Sequence, residues 1–316
     1  MTADIRQFLT HASVVGFVPK QAPWVLIGGS FAGSLMAWSK YQHTLDALVI
    51  ASSAPMRIVD GFWEFDNMVI KRLPCAAQLS STIRLVDAVL DSRNATNAKQ
   101  LKHQLGFNSV DDLQQFSTSL VAQVSQLMLE SVGSQCTELG LWQTAPPVGS
   151  NMFGYRIRSQ RLSVEYFEIQ CGRCLPSNWN NWKEQWKQEF RAFSQGAFTK
   201  YKSRDLFTVG EFDPWSALAM DNSQSHDGAE VLVIKGAAHS EDLRFSDDDD
   251  ESEENDTLGA LAVLDARRHI IDMVKKWSAD FGNMHMQRTS DAGTSRSTFG
   301  VRSFAMVLTL MFVLVM

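Results

Sequence analysis

Apolar residues recur at helical spacing from the start of the chain: Ile5, Phe8, Leu9 and Ala12 predict a helix over residues 4–16. Beyond Pro19 and Pro23 the pattern becomes an unbroken apolar run, Trp24-Val25-Leu26-Ile27, which suits a strand buried on both faces of a parallel sheet. A glycine-rich turn, Gly28 to Gly33, leads into a helical stretch from Ser34 to Tyr41 and a second apolar run, Ala47 to Ala51. Strand, tight turn, helix and strand make a βαβ unit.

From about residue 55 to 200 apolar positions recur at helical spacing, as at Leu85, Val86, Val89 and Leu90, and again at Leu120, Val121, Val124, Leu127 and Met128. Strand-like runs return at 205–209 and 231–234. A helix is predicted over 258–280, with Leu261, Leu264, Ile270, Ile271, Val274 and Trp277 on or near one face. The order predicts an α/β protein: residues 1–55 and 201–285 form one core, 56–200 an inserted helical domain, and 286–316 a polar spacer with an apolar tail.

Composition narrows the class. The 316 residues carry 29 Lys+Arg against 35 Asp+Glu, a formal charge of −6. With 45% hydrophobic residues this excludes a mostly disordered chain, and the absence of a basic excess argues against a nucleic-acid partner. The acidic run from Ser246 to Asp256 repels itself and predicts a solvated loop. It lacks the spaced ligand-and-glycine pattern of a calcium site. Cys171 and Cys174 form a C-x-x-C pair without a second ligand pair for zinc, so the four cysteines read as structural, some in disulfides of a secretory protein. Asn94-Ala-Thr96 and Asn255-Asp-Thr257 are glycosylation acceptor triplets at Asn94 and Asn255.

The N-terminus has no basic segment followed by an apolar one, so no signal peptide is read there. The C-terminus ends in thirteen uncharged, mostly apolar residues, Phe304 to Met316, preceded by a polar spacer and the small residues around Ser290 to Gly293. That arrangement fits a GPI-anchor signal and membrane attachment on the secretory route; a tail anchor or a tail packed on the fold are the alternatives.

Ser30 sits in the tight turn between a strand and a helix, where a nucleophile elbow belongs. Gly28, Ala32 and Gly33 supply the small neighbours, although position 32 is Ala rather than Gly. A phosphate-binding loop would need Gly-Lys-Ser/Thr next, which is absent. The backbone N–H of Phe31 would face a developing oxyanion. A serine hydroxyl needs a base, and the base an orienting carboxylate. In α/β hydrolases these follow in the order Ser, acid, His, on loops after later strands. Asp213 follows the strand at 205–209 and His239 the strand at 231–234. Ser30, Asp213 and His239 are therefore the catalytic candidates, with no metal or cofactor required.

The segments PWVLIGGSFAG, CTELGLWQTAPP, GEFDPW and GAAHSEDLR resemble the serine peptidases of the lysosomal Pro-X carboxypeptidase and dipeptidyl peptidase II type. That family usually has Tyr where this chain has Phe31. The resemblance implies an α/β-hydrolase core with an inserted helical cap and a serine exopeptidase acting on proline-containing peptides. Ser30 would be the nucleophile, Asp213 the orienting acid and His239 the general base. It implies a proline pocket drawing on Glu138, Trp142 and the later tryptophans at 179, 182 and 186, with Trp215 of the GEFDPW segment as a further substrate contact. Flat aromatic walls suit a pyrrolidine ring. Cys136 matches a family position usually held in a disulfide.

Family members carry a long segment, including the first strands, before the nucleophile. This chain is therefore expected to be an N-terminally truncated member, short of a second oxyanion donor and with one sheet edge unpaired. An esterase or lipase on the same fold, and a non-catalytic remnant serving as a surface or binding protein, are the other readings.

Overall fold

The structure, a computed structural model, describes residues 2–14, 23–92, 94–104, 141–147, 149–150, 154–174, 179–198, 205–220, 229–244, 258–291 and 311–312. They form two compact units, residues 1–57 with 194–315, and residues 58–193.

The first unit is a parallel sheet. Its strands are β1 (Trp24–Gly29), β2 (Ala47–Ser52), β3 (Asp205–Gly210), β4 (Glu230–Ile234) and the short β5 (Met311–Phe312), in the order β4-β3-β2-β1-β5. All pairings are parallel, with Leu26 opposite Val49, Ser52 opposite Thr208 and Gly210 opposite Ile234. Helix α1 (Thr2–Val14) packs on α2 (Ser30–His43), and α2 packs on β1 and β2.

Side chains alternate across a strand. Val25, Ile27, Leu48, Ile50 and Leu206 share one face and pack on Ile270, Val274, Trp277 and Phe281 of the long C-terminal helix. That helix runs from Leu258 to Asp291. It is further tied to β1 by the indole N–H of Trp277, which donates to the Trp24 carbonyl at 3.3 Å.

The second unit is helical. It holds α3 (Glu64–Ile70), α4 (Ala76–Asp91), α5 (Ala95–Gln104), α6 (Val164–Cys174) and α7 (Trp179–Phe198) as far as Phe193; the C-terminal helix is then α8. Gly61 bridges Trp142, with Phe62 N–H donating to the Trp142 carbonyl at 2.7 Å. Two buried carboxylates of this unit are paired, as burial favours. Asp87 accepts from Arg156 Nη2 at 2.8 Å and from Ser159 Oγ at 2.6 Å, and Asp66 accepts from Arg158 Nε at 2.6 Å.

Several expectations are corrected. The first helix of the βαβ unit starts at Ser30, not Ser34, because the serine turn is itself the helix start. On α8 the buried stripe is Val263, Ala266, Ile270, Val274, Trp277 and Phe281, whereas Leu261 and Ile271 are 47% and 51% exposed. Steps of three and four residues from Val263 follow the helical period, and Leu261, Leu264 and Ile271 fall off that line. The helix also continues through residues 286–291, where the sequence predicts spacer. On α4, Val86 and Leu90 are buried, while Leu85 faces solvent. The edge of β1 is covered in part: Met311 and Phe312 of the apolar tail lie parallel to it, opposite Leu26 and Ile27. The helical run from Leu120 to Met128 and the acidic run lie outside the described residues.

Candidate active site

Parallel strands place their carboxyl ends along one rim of a sheet, where ligands of such folds bind. Ser30 directly follows β1, Asp213 lies three residues past β3, and His239 five past β4. All three lie in the sheet-containing unit.

The turn at Ser30 is close-packed backbone on backbone. A Cβ at Gly28 would sit 2.6 Å from the Ala32 carbonyl carbon and from Gly33 N; one at Gly33 would sit 2.7 Å from Gly28 O. Only glycine fits both places, while the Ala32 methyl is buried without displacing them. Ser30 has φ of +52°, a left-handed backbone that non-glycine residues rarely adopt. Phe31 lies in the first turn of α2, where backbone N–H groups have no partner within the helix.

Asp213 is fully buried. Its Oδ1 lies 2.9 Å from His239 Nδ1 and accepts from the Trp215 N–H at 2.8 Å. A carboxylate accepts only, so in the neutral ring it is Nδ1 that carries the proton, with the lone pair on Nε2. The imidazole is 23% exposed. Pro214 begins a short 3₁₀ turn, Pro214–Leu218, whose Leu218 carbonyl accepts from Met56 and Arg57 N–H, tying it to the exit of β2. Trp215 is buried, with its ring centroid 6.4 Å from that of His239.

The serine and histidine loops touch. A Cβ on Gly29 would lie 3.2 Å from Ser240 Oγ and 3.4 Å from Leu243 Cδ1. Among the described residues no hydrogen bond joins Ser30 Oγ to His239; such contacts tighten when substrate binds.

Residues 1–133 and 133–256 match the serine carboxypeptidase S28 family. The chain belongs to that family. Its core is therefore an α/β-hydrolase core. Among relatives, serine protease vicPa of Bipolaris victoriae is 30% identical over 105 residues, 32% of this chain and 20% of its own. The thymus-specific serine protease of Homo sapiens is 37% identical over 92 residues, 26% of this chain and 18% of its own. A Caenorhabditis elegans relative is 25% identical over 345 aligned residues, 81% of this chain and 64% of its own. This S28 chain thus aligns with less than two thirds of the length of each of these relatives.

Sequence reasoning missed the polar contacts of the loop that bears His239 in this S28 chain. Asp242 is 3% exposed; its carboxylate accepts from Ser52 Oγ at 2.5 Å and Thr208 Oγ1 at 2.6 Å. Ser240 N–H donates to Ser53 Oγ at 2.9 Å. Ser53 and Ser240 share Ser30's backbone conformation, with φ of +51° and +50°. The only signal in the sequence was a set of hydroxyl residues at strand ends and an acid three residues past a histidine, which is too common to select.

The remaining candidates fall as follows. Trp142 is 3% exposed and its ring stacks on Phe167 at 5.2 Å, within the helical unit. Glu138, Cys136 and Asn255 lie outside the described residues, and of Trp179, Trp182 and Trp186 only the α7 backbone is described. Asn94 is exposed and caps α5, its Oδ1 accepting from Thr96 and Asn97 N–H, each at 3.1 Å. Cys171 is buried in a disulfide, whereas Cys75 is free and exposed.

Two buried carboxylates lie away from the catalytic candidates. Asp205, at the opposite end of β3, accepts from Lys40 Nζ at 2.5 Å and Val49 N–H at 3.1 Å. Burial pushes its carboxyl up to about 6, with the Lys40 charge and the hydrogen bonds opposing. In the helical unit, burial likewise raises Asp66 to about 6 against the opposing pull of Arg158.

Proposed function

We propose that this S28 chain carries the catalytic core of a serine exopeptidase that cleaves peptides next to proline through Ser30, His239 and Asp213. The observation that carries the reading is the 2.9 Å contact of His239 Nδ1 with buried Asp213, in a loop touching the Ser30 turn.

His239 Nε2 takes the hydroxyl proton as Ser30 Oγ bonds to the peptide carbonyl carbon. The oxygen gains negative charge facing the Phe31 N–H. Nε2 then returns the proton to the departing amine as the C–N bond breaks, leaving an acyl-enzyme. A water gives its proton to the same nitrogen, attacks the ester carbon and frees Ser30 with its proton restored. Asp213 holds the ring and balances its transient positive charge.

The family description and the names of the relatives support peptidase chemistry. Preference for proline is supported by the four motif segments and their resemblance to the Pro-X type. The disulfide at Cys171 supports a site of action on the secretory route, where such bonds persist.

A fluorophosphonate probe followed by a panel of proline peptides and simple esters tests the reading. Labelling at Ser30 with faster turnover of the peptides is expected. A folded protein that fails to label at Ser30 overturns it, and preference for esters would replace the peptidase by an esterase.

A further inference from the structure

The loop that bears His239 reaches the sheet through a second carboxylate. Asp242, in the 3₁₀ turn Glu241–Leu243, is buried, and among the described residues no cation pairs with its side chain. It meets two hydroxyls instead. Oδ1 accepts from Ser52, the last residue of β2, and Oδ2 from Thr208 of β3, the residue paired with Ser52 in register. One carboxylate thus spans two adjacent strand ends. A carboxylate offers only acceptors, so both hydroxyls must donate to it, and neither is free to turn elsewhere.

The backbone around it is held from both sides. Ser240 N–H donates to Ser53 Oγ, and Ser240 Oγ donates to the Ser52 carbonyl at 3.4 Å. From α8, Arg267 Nε donates to the Asp242 carbonyl at 3.2 Å, and its Nη2 donates to the carbonyls of Glu241 and Arg244. The imidazole lies at one end of this segment, and among the described residues its side-chain hydrogen bond is to Asp213.

We propose that Asp242 is a positioning residue for His239: its bonds to Ser52 and Thr208 fix the histidine loop over the carboxyl ends of β2 and β3, and so set the distance from Nε2 to Ser30. This rests on the proposed role of Ser30 and His239. The physical ground is that proton transfer tolerates little displacement; about 1 Å of misplacement costs on the order of 100-fold in rate. Asp242→Asn keeps the shape but offers one acceptor in place of two, so one hydroxyl loses its anchor.

The test compares wild type, Asp242→Asn, Ser52→Ala and Ser30→Ala in the rate of fluorophosphonate labelling. In that reaction Ser30 Oγ bonds to phosphorus, fluoride leaves and His239 takes the proton. Labelling of Asp242→Asn about 10- to 100-fold slower is expected, with a smaller loss for Ser52→Ala. On a proline peptide, kcat should fall while KM stays near wild type. The downfield proton resonance of His239 Nδ1–H should broaden in Asp242→Asn and in Ser52→Ala. Thermal unfolding shows whether each variant is folded at the assay temperature. If Asp242→Asn is folded and labels at the wild-type rate, or loses rate only in proportion to an unfolded fraction, the positioning role is wrong while the catalytic reading stands. If wild type labels no faster than Ser30→Ala, the catalytic reading fails, and the role of Asp242 with it.

Discussion

Gly33 and Gly28 meet across the serine turn with no room for a side chain: a Cβ at position 33 would lie 2.7 Å from the Gly28 carbonyl oxygen. The contact is with backbone, which has nowhere to move without opening the turn. Gly33→Ala is therefore expected to destabilise the sheet-containing unit by about 1–3 kcal/mol and to slow labelling of Ser30. Urea unfolding alongside probe labelling checks this, and a variant of wild-type stability and reactivity would contradict the packing.

Ser30 has φ of +52°, so the side chain that reacts is also one the backbone would rather lose. Ser30→Ala and Ser30→Gly should both abolish turnover. They should differ in stability, with the glycine variant more stable than the alanine variant by about 1 kcal/mol. Equal midpoints in denaturant would mean that the turn is unstrained.

Asp213 holds one tautomer of His239, because its oxygen accepts both from Nδ1–H and from Trp215 N–H. Asparagine cannot balance the positive charge the ring gains in the reaction, and where its amide N–H takes the place of that oxygen the bond from Trp215 is lost and the imidazole proton moves to Nε2. Asp213→Asn should lower kcat by about 10⁴-fold with little effect on folding; the magnitude is that known for such a change in another serine protease. Steady-state kinetics decide, and a loss below tenfold would remove Asp213 from the mechanism.

Asp205 and Asp66 make stability depend on pH. Both are raised by burial from 3.8 to about 6, with Lys40 and Arg158 opposing. Between those two values the folded chain binds more protons than the unfolded one, so their contribution to stability falls as pH rises from about 4 to about 6 and is level above. Asp205→Asn removes one of these dependences. From pH 4 to pH 6 wild type should therefore lose stability relative to this variant, by on the order of 2–3 kcal/mol. Urea titrations at pH 4, 5, 6 and 7 read it out; a wild type that gains on the variant as pH rises is incompatible with this assignment.

Met311 and Phe312 cover the edge of β1 opposite Leu26 and Ile27. An uncovered parallel edge offers unpaired N–H and C=O groups to other chains. Deleting residues 311–316 should promote concentration-dependent association and lower the melting temperature, measured by light scattering and calorimetry. The strand and a GPI signal exclude each other, since the signal is cut off. Mass spectrometry of the chain from its native source should find the tail retained; its loss, with a glycolipid in its place, would remove β5 from the mature fold.

What the sequence determined by itself were features with a short period or a fixed local geometry. Apolar runs marked β1 to β4 within two residues at each end, and the glycines around Ser30 announced a turn that no other side chain could enter. The order of Ser30, Asp213 and His239, after β1, β3 and β4, was legible because chain order and strand ends are linear information. Tertiary structure alone decided the rest. Which stripe of α8 is buried depended on where the sheet lay against it, and Leu261 and Ile271 are as apolar as the residues that won. The pairing of Asp242 with Ser52 joins residues 190 apart in the chain, and hydroxyls and acids are too frequent for such a pair to stand out beforehand. Hydrophobic periodicity records which way a residue faces along its own element; a hydrogen bond between distant loops exists only once the strands have set their ends side by side.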